Sequence, residues 1–213
     1  MLNIEIFSDV ICPWCFIGKR RLDRVLDGPL GDDVAVRWRP YQLYPNLPDE
    51  GLDRTEALAR RYGPNPDLGR VPERIAIEAE QEGIALRYDL MTRTPNTLLA
   101  HRLLEFAYDA GRQHDLAEAL FVAYFCDGVD VGDREALVAV AQAVGLDVDA
   151  AKTYLDGGRG LDEVREQLAR APDVGISGVP GYYLADSFLL PGAQTSEVMG
   201  QIIDRVKKKL AEN

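Results

Sequence analysis

Ser8-Asp9-Val10-Ile11-Cys12-Pro13-Trp14-Cys15-Phe16-Ile17-Gly18-Lys19-Arg20-Arg21-Leu22 is the segment on which the fold turns. Just ahead of it, Leu2 to Ser8 is rich in β-branched and aromatic residues and ends abruptly, which predicts a buried strand. Behind it, Phe16, Leu22, Val25 and Leu26 form an apolar stripe over Pro13 to about Leu26, with Lys19, Arg20, Arg21, Asp23 and Arg24 expected mostly on the opposite, solvated side. Gly28-Pro29 ends that helix. The two cysteines therefore open a helix directly after a strand. A cysteine placed there faces unpaired backbone N–H groups and the positive end of the helix dipole, which favour a thiolate. Pro13 suits the opening turn because its missing N–H leaves no bond unmade. A separation of three puts Cys15 on the same side as Cys12, within reach of a disulfide.

Working outward, Val34, Val36 and Trp38 alternate with Ala35, Arg37 and Arg39, a second strand that ends at Pro40. Strand, helix, strand predicts a parallel crossover. From about Asn46 to Val174 the pattern is helical in pieces: 54–62, 68–82, 95–110, 115–126, 134–144, 149–155 and 161–171, separated by glycines and prolines. Gly181 to Asp186 and Ser187 to Pro191 then read as a hairpin with Asp186 near its turn, and Ser196 to Leu210 as an amphipathic helix. The expected architecture is an α/β fold assembled from residues 1–45 and 175–213, with 46–174 inserted as an all-helical domain.

Composition narrows the functional classes. The chain has 213 residues, 46% hydrophobic and 28% charged, as a globular protein should. Its net charge of −11 is the wrong sign for gripping nucleic acid or an anionic membrane through the overall field, so neither is expected as a partner. No basic leader precedes an apolar stretch, and no later segment has the length of a membrane helix, which points to the cytoplasm. Three cysteines cannot form a disulfide framework. Zinc would need a second close pair of ligands, and only Cys126, His101 and His114 remain, so no metal site is expected. Two inert buried thiols are the other bland alternative.

Several blocks in order resemble the thioredoxin superfamily, and within it the DsbA-like group of FrnE-type dithiol oxidoreductases. They are the segment from Ser8, Trp38-Arg39-Pro40-Tyr41-Gln42-Leu43, Asn96-Thr97 with Ala100-His101-Arg102, Ala123-Tyr124-Phe125, Gly178-Val179-Pro180 and Gly192-Ala193-Gln194. The resemblance implies a thioredoxin-like fold with a large all-helical insertion. It also implies a cis Val179–Pro180 bond facing the dithiol, where the general preference for an X–Pro bond is trans. The implied activity is thiol–disulfide exchange, with Cys12 as nucleophile and Cys15 resolving the mixed disulfide. Pro13, Trp14, Val179 and Pro180 would contact substrate, Val179 through its backbone. The implied partners are thiol or disulfide proteins or small thiols, with glutathione as a candidate co-substrate, no prosthetic group beyond the redox-active disulfide, and a homodimer left open.

Glu5, on the first strand, is a candidate proton relay or a solvated edge residue, which strand alternation does not separate. Cys126 reads as a packed helix-end thiol, His101 as a hydrogen-bonded residue of an apolar helix and His114 as a surface residue. Periplasmic DsbA proteins typically carry histidine in the central dipeptide. Trp14 offers only an indole N–H in its place, so a less oxidising pair is expected here. Glutathione-dependent isomerases and transferases of the kappa type share the insertion and the Asn-Thr block. They commonly carry serine at the active position and lack the second cysteine, so the retained Cys15 argues against that alternative.

Overall fold

A computed structural model describes residues 1–212, apart from the side chain of Arg61. Strand β1 (Leu2–Ser8) leads into helix α1 (Pro13–Leu26) and strand β2 (Val34–Pro40), and β1 and β2 pair in parallel with Ile4 opposite Val36 and Ile6 opposite Trp38. The chain returns to this sheet with β5 (Gly181–Leu184) and β6 (Phe188–Pro191), giving the order β2-β1-β5-β6 with both later pairings antiparallel. Ala185 and Asp186, both at positive φ, lie in the three-residue loop between the paired Leu184 and Phe188, closed by the Ser187 N–H on the Leu184 carbonyl at 3.1 Å. Helix α9 (Ser196–Ala211) closes the chain against α1.

Between these pieces lie a two-stranded sheet of β3 (Leu52–Asp53) and β4 (Arg93–Thr94), a 3-10 turn at Tyr88–Leu90, and the helices α2 (Arg54–Tyr62), α3 (Glu73–Gln81), α4 (Leu98–Asp109), α5 (Gln113–Phe125), α6 (Arg134–Ala143), α7 (Val148–Asp156) and α8 (Leu161–Asp173). Asp53, Asp133, Asp147 and Thr195 cap their helices through side-chain oxygens, each contact worth about 1 kcal/mol. Two expected helices begin late. α3 starts at Glu73 because Pro72 occupies its N-cap and holds the chain before it out of the helical region. α4 starts at Leu98, whose N–H is taken by the Asn96 side chain at 3.0 Å. The short β3–β4 pairing was not anticipated, since two residues per strand carry no readable period.

Strand alternation fixes the layers. Leu2, Ile4 and Ile6 face α1, each only 1% exposed, while Phe7 points to the other face, against Ala171 of α8 and Ile176. One hydrophobic cluster runs from β1 through Phe16 and Ile17 of α1 into Leu103, Leu116, Phe121 and Leu137 of the helical middle, so the middle shares its core with the sheet. Phe16 and Phe121 stack at 5.2 Å across that seam.

This packing overturns the expectation for the charged side of α1. Lys19 and Arg21 are buried, at 3% and 4% exposed, because α5 and α3 cover the face that would otherwise meet water. Lys19 pairs with Asp23 at 2.7 Å and with Glu118 at 3.2 Å. Arg21 pairs with Glu82 at 2.8 Å and with Glu78, and donates to the Ala193 carbonyl at 2.9 Å. His114 is not a free surface group either. It accepts from the Trp38 indole at 3.2 Å on Nδ1 and meets Asp23 at 2.7 Å through Nε2.

Candidate active site

Cys12 is the N-cap residue of α1. Its backbone N–H is tied back to the Asp9 carbonyl at 3.0 Å, and its own carbonyl accepts from Cys15 at 3.0 Å and Phe16 at 3.3 Å. These bonds fix the turn that carries both sulfurs. The Cys12 side chain makes no capping bond to the helix; its thiol instead donates to the Val179 carbonyl oxygen, with Sγ 3.7 Å away. The Val179–Pro180 peptide bond is cis, and Pro180 is buried beside α1. Two segments 167 residues apart in sequence therefore meet at one sulfur.

Cys15, one turn further along α1, is only 1% exposed. Burial pushes its thiol well above the ordinary cysteine range, and the neighbouring Cys12 sulfur pushes it further, against the Ser8 hydroxyl and the Asp9 backbone N–H, which favour the thiolate. Both cysteines are free thiols here. Below them the floor of the site holds polar groups with few partners. The Tyr182 hydroxyl and the Oδ1 atom of Asp9 are buried without a hydrogen bond among the described residues, and the Ser8 hydroxyl has no partner there besides the Cys15 sulfur. Tyr182 sits opposite Ile6 in the β1–β5 ladder, its hydroxyl against α1 at Gly18. A Cβ at Gly18 would collide with that hydroxyl and stand 3.2 Å from Cγ of Pro180, so only glycine admits the close approach. Burial holds the Tyr182 phenol well above its usual range, with the two sulfurs adding to the shift, which keeps it a neutral donor.

Trp14 is half-buried at the mouth, with the Arg74 guanidinium of α3 5.3 Å from its ring centroid. Its ring thus packs against α3 of the helical middle. Pro13 and Val179 are likewise half-buried beside Cys12.

Glu5 is not a solvated edge residue; it is an ion-paired carboxylate. Only 8% exposed, it lies on the α8 side of β1, where Arg39 contacts it at 2.6 Å through Nε and Arg170 at 2.8 Å. Burial alone would raise its carboxyl; the hydrogen bonds and charges of Arg170 and Arg39 outweigh that and hold it below the usual value. A carboxylate clamped by two guanidinium groups is a poor proton carrier near neutral pH. The acid placed in the loop before Cys12 is Asp9, fully buried, which accepts the Leu43 N–H at 2.7 Å and lies 3.5 Å from His101 Nε2. His101 Nε2 is 3.0 Å from the Tyr41 carbonyl, so this helical histidine is hydrogen-bonded, and Asn96 links Gln42 at 3.0 Å to the Leu47 carbonyl at 2.9 Å. Sequence reading did not single out Ser8, Asp9 or Tyr182. Asp9 and Ser8 lie within the quoted segment, but nothing local shows that they are buried; Tyr182 is revealed only by the pairing of β5 with β1.

Cys126 caps the C-terminal end of α5 and is partly buried against the core; burial raises its thiol. Among the described residues no cluster of three or more His, Cys, Asp or Glu side chains is arranged to hold a metal ion, and no helix is long and apolar enough to cross a membrane.

A sheet of this topology, a C-x-x-C pair at the start of α1 and a cis proline against the first sulfur define a thioredoxin-like oxidoreductase scaffold. The chain belongs to the DSBA-like thioredoxin domain family, whose profile matches residues 3–204, and it is a DsbA-like enzyme. It is 30% identical to a probable DsbA oxidoreductase of Streptomyces coelicolor of known crystal structure, with a TM-score of 0.82 over 96% of this chain and 89% of that one. It is 28% identical to the Bacillus subtilis protein YwbO over 98% of both chains. A 2-hydroxychromene-2-carboxylate isomerase of Sphingobium xenophagum is 24% identical over 86% of this chain and 89% of its own.

Proposed function

We propose that the protein exchanges disulfides through Cys12 and Cys15, acting on protein or small-molecule thiols and disulfides. The observation that carries this reading is the contact of Cys12 Sγ with the Val179 carbonyl at the start of α1, with Cys12 itself 4% exposed and a second thiol, 1% exposed, one turn behind. In the reduced protein the Cys12 thiolate attacks one sulfur of a substrate disulfide. That S–S bond breaks, a mixed disulfide forms on Cys12, and the released substrate sulfur takes up a proton. Cys15 then gives up its proton and attacks Cys12 Sγ, expelling the second substrate thiolate and closing the internal disulfide. Two electrons have passed to the substrate. The oxidised protein runs the same steps in reverse with a dithiol, and a small thiol such as glutathione is a suitable recycling partner.

Val179 supports main-chain docking of substrate. Its carbonyl faces Cys12 and can accept an N–H from an extended substrate segment once the thiol has been consumed. Pro13, Trp14 and Pro180 supply apolar surface around that contact. Trp14 brings no imidazole, so a pair less oxidising than the histidine-containing periplasmic enzymes is the reading for its potential.

Insulin reduction with thiol recycling tests the activity. Cys12→Ser should lower it by about three orders of magnitude or more, since the nucleophile is lost. Cys15→Ser should accumulate substrate covalently on Cys12. Trapping by Cys12→Ser instead would reverse the roles, and an unaffected rate in both would remove the dithiol from the mechanism.

The likeness to the chromene-carboxylate isomerase favours a second reading, glutathione-dependent isomerisation of a small molecule on the same scaffold. Such turnover needs one active position only, so conversion that survives Cys15→Ser would select it over disulfide exchange.

A further inference from the structure

We infer that the free edge of β2 and the groove beside it form a docking site for an extended, basic polypeptide segment of a partner protein. The backbone geometry of the sheet supplies the first half of the argument. Asp33 O accepts from Leu2, and Tyr41 N donates to Ser8 O, so on β2 the odd-numbered residues turn their N–H and C=O groups toward β1. Val34, Val36 and Trp38 therefore direct theirs outward, since β2 is the last strand of the sheet.

At Trp38 that edge is closed. The Gln113 side chain accepts from Trp38 N at 2.8 Å and donates to Trp38 O at 3.1 Å, copying the bonds of a neighbouring strand. At Val34 the N–H is satisfied by Gly31 O at 3.2 Å. The Val36 N–H and C=O and the Val34 C=O have no such partner among the described residues. An open strand edge is a template for a further strand, and proteins commonly blunt or cover it. Here one amide side chain covers one residue and leaves the next uncovered.

What lies beside the uncovered stretch is the second half. A groove of about 1300 Å³ is walled by Val34 and Val36 on one side and by α5 and α6 on the other. Ala136, Ala139, Val140 and Ala143 present the α6 wall at helical spacing, small enough to admit side chains from a strand laid along β2. The charges at its rim select the occupant. Lys19 and Arg20 are already neutralised by Glu118 and Asp23, whereas Asp27 and Asp127 also line the groove and, among the described residues, no basic side chain is paired with either. A net charge of −11 reinforces the preference. An extended segment that alternates apolar and basic residues meets all three features: edge hydrogen bonds, apolar slots on one side, and cations at the rim.

The test uses the whole protein and two synthetic peptides, acetyl-(Lys-Val)4-amide and acetyl-(Glu-Val)4-amide, with hydrogen exchange of the Val36 amide followed by NMR. The basic peptide should slow Val36 exchange by about tenfold or more, as a new backbone hydrogen bond does, while the Trp38 amide, already bonded, changes little. The acidic peptide should leave Val36 unchanged. Ala139→Arg, an exposed position outside the redox site, should abolish the effect while keeping insulin reduction intact. The proposal is overturned if the basic peptide gives no protection, or if both peptides protect equally. It is also overturned if sedimentation shows a dimer in which Val36 is already protected and which Ala139→Arg dissociates, since a second copy then fills the groove.

Discussion

Helix α1 holds two regions that treat buried polarity in opposite ways. In its second and third turns the buried charges are ion-paired: Lys19 to Asp23 and Glu118, Arg21 to Glu78, Glu82 and the Ala193 carbonyl, with Arg24 reinforcing Glu82 at 2.6 Å, while the Glu118 oxygens and Arg20 Nε make no hydrogen bond among the described residues. Around its first turn the groups are not ion-paired in this way: the Tyr182 hydroxyl and an Asp9 oxygen are buried with no hydrogen bond among the described residues, and the Ser8 hydroxyl has only the Cys15 sulfur, next to two free thiols. Leaving such groups unpaired costs about 1–3 kcal/mol each, and that cost is concentrated around the two cysteines. The paired turns hold α1 in place; on the reading of Cys12 and Cys15 as the exchanging pair, the Ser8 and Tyr182 hydroxyls are the donors available to a thiolate.

The matched region breaks hardest. Arg21→Ala leaves Glu82 buried with only the exposed Arg24 as a partner, and should cost about 3–5 kcal/mol in denaturant unfolding. A loss below about 1 kcal/mol would mean that the cluster behaves as a surface network. The unmatched region is probed by reactivity. Iodoacetamide at neutral pH should modify Cys12 about a hundredfold faster than Cys15, whose thiol burial holds well above 9.0. The linked stability follows the same sign. Unfolded Cys15 ionises above its ordinary value while folded Cys15 does not, so its contribution is complete below 9.0 and declines as pH rises beyond it.

The acid limb belongs to the clamped carboxylates. Glu5 and Asp23 both sit below their ordinary values of 4.5 and 3.8, since their cationic partners outweigh burial. Their contribution is full above those values and is lost as pH falls through the depressed folded ones. Glu5→Gln should therefore lower stability by about 1–2 kcal/mol at neutral pH and flatten its fall below 4.5. A variant with the acid slope of the wild type would detach the Arg39 and Arg170 pair from the carboxylate.

This division explains what the sequence could disclose. The strand before Cys12, the helix after Pro13, the parallel β2 and the final hairpin follow from local periodicity and turn chemistry, and they place the two sulfurs. The polar side of α1 was misjudged because a pattern of charges looks the same whether it meets water or the carboxylates of α3 and α5. Val179 reaches Cys12 and Tyr182 reaches Gly18 only through long-range closure of the sheet, so single-chain periodicity carries no trace of either contact. The resemblance of the Gly178-Val179-Pro180 block supplied the cis bond that local statistics opposed.

The smallest expected effect is the most discriminating. Tyr182→Phe deletes one oxygen, keeps the ring in the core and relieves a fully buried hydroxyl that has no partner. If that hydroxyl is unpaired in the thiol state, the variant should gain about 1 kcal/mol in stability, because the desolvation cost disappears and no bond is lost. A loss of similar size in urea unfolding would show that the phenol is satisfied, by a buried water or by a sulfur, and the contrast between the two regions of α1 would shrink to Ser8 and Asp9. The measurement is best made on reduced protein, the state in which both cysteines are free thiols.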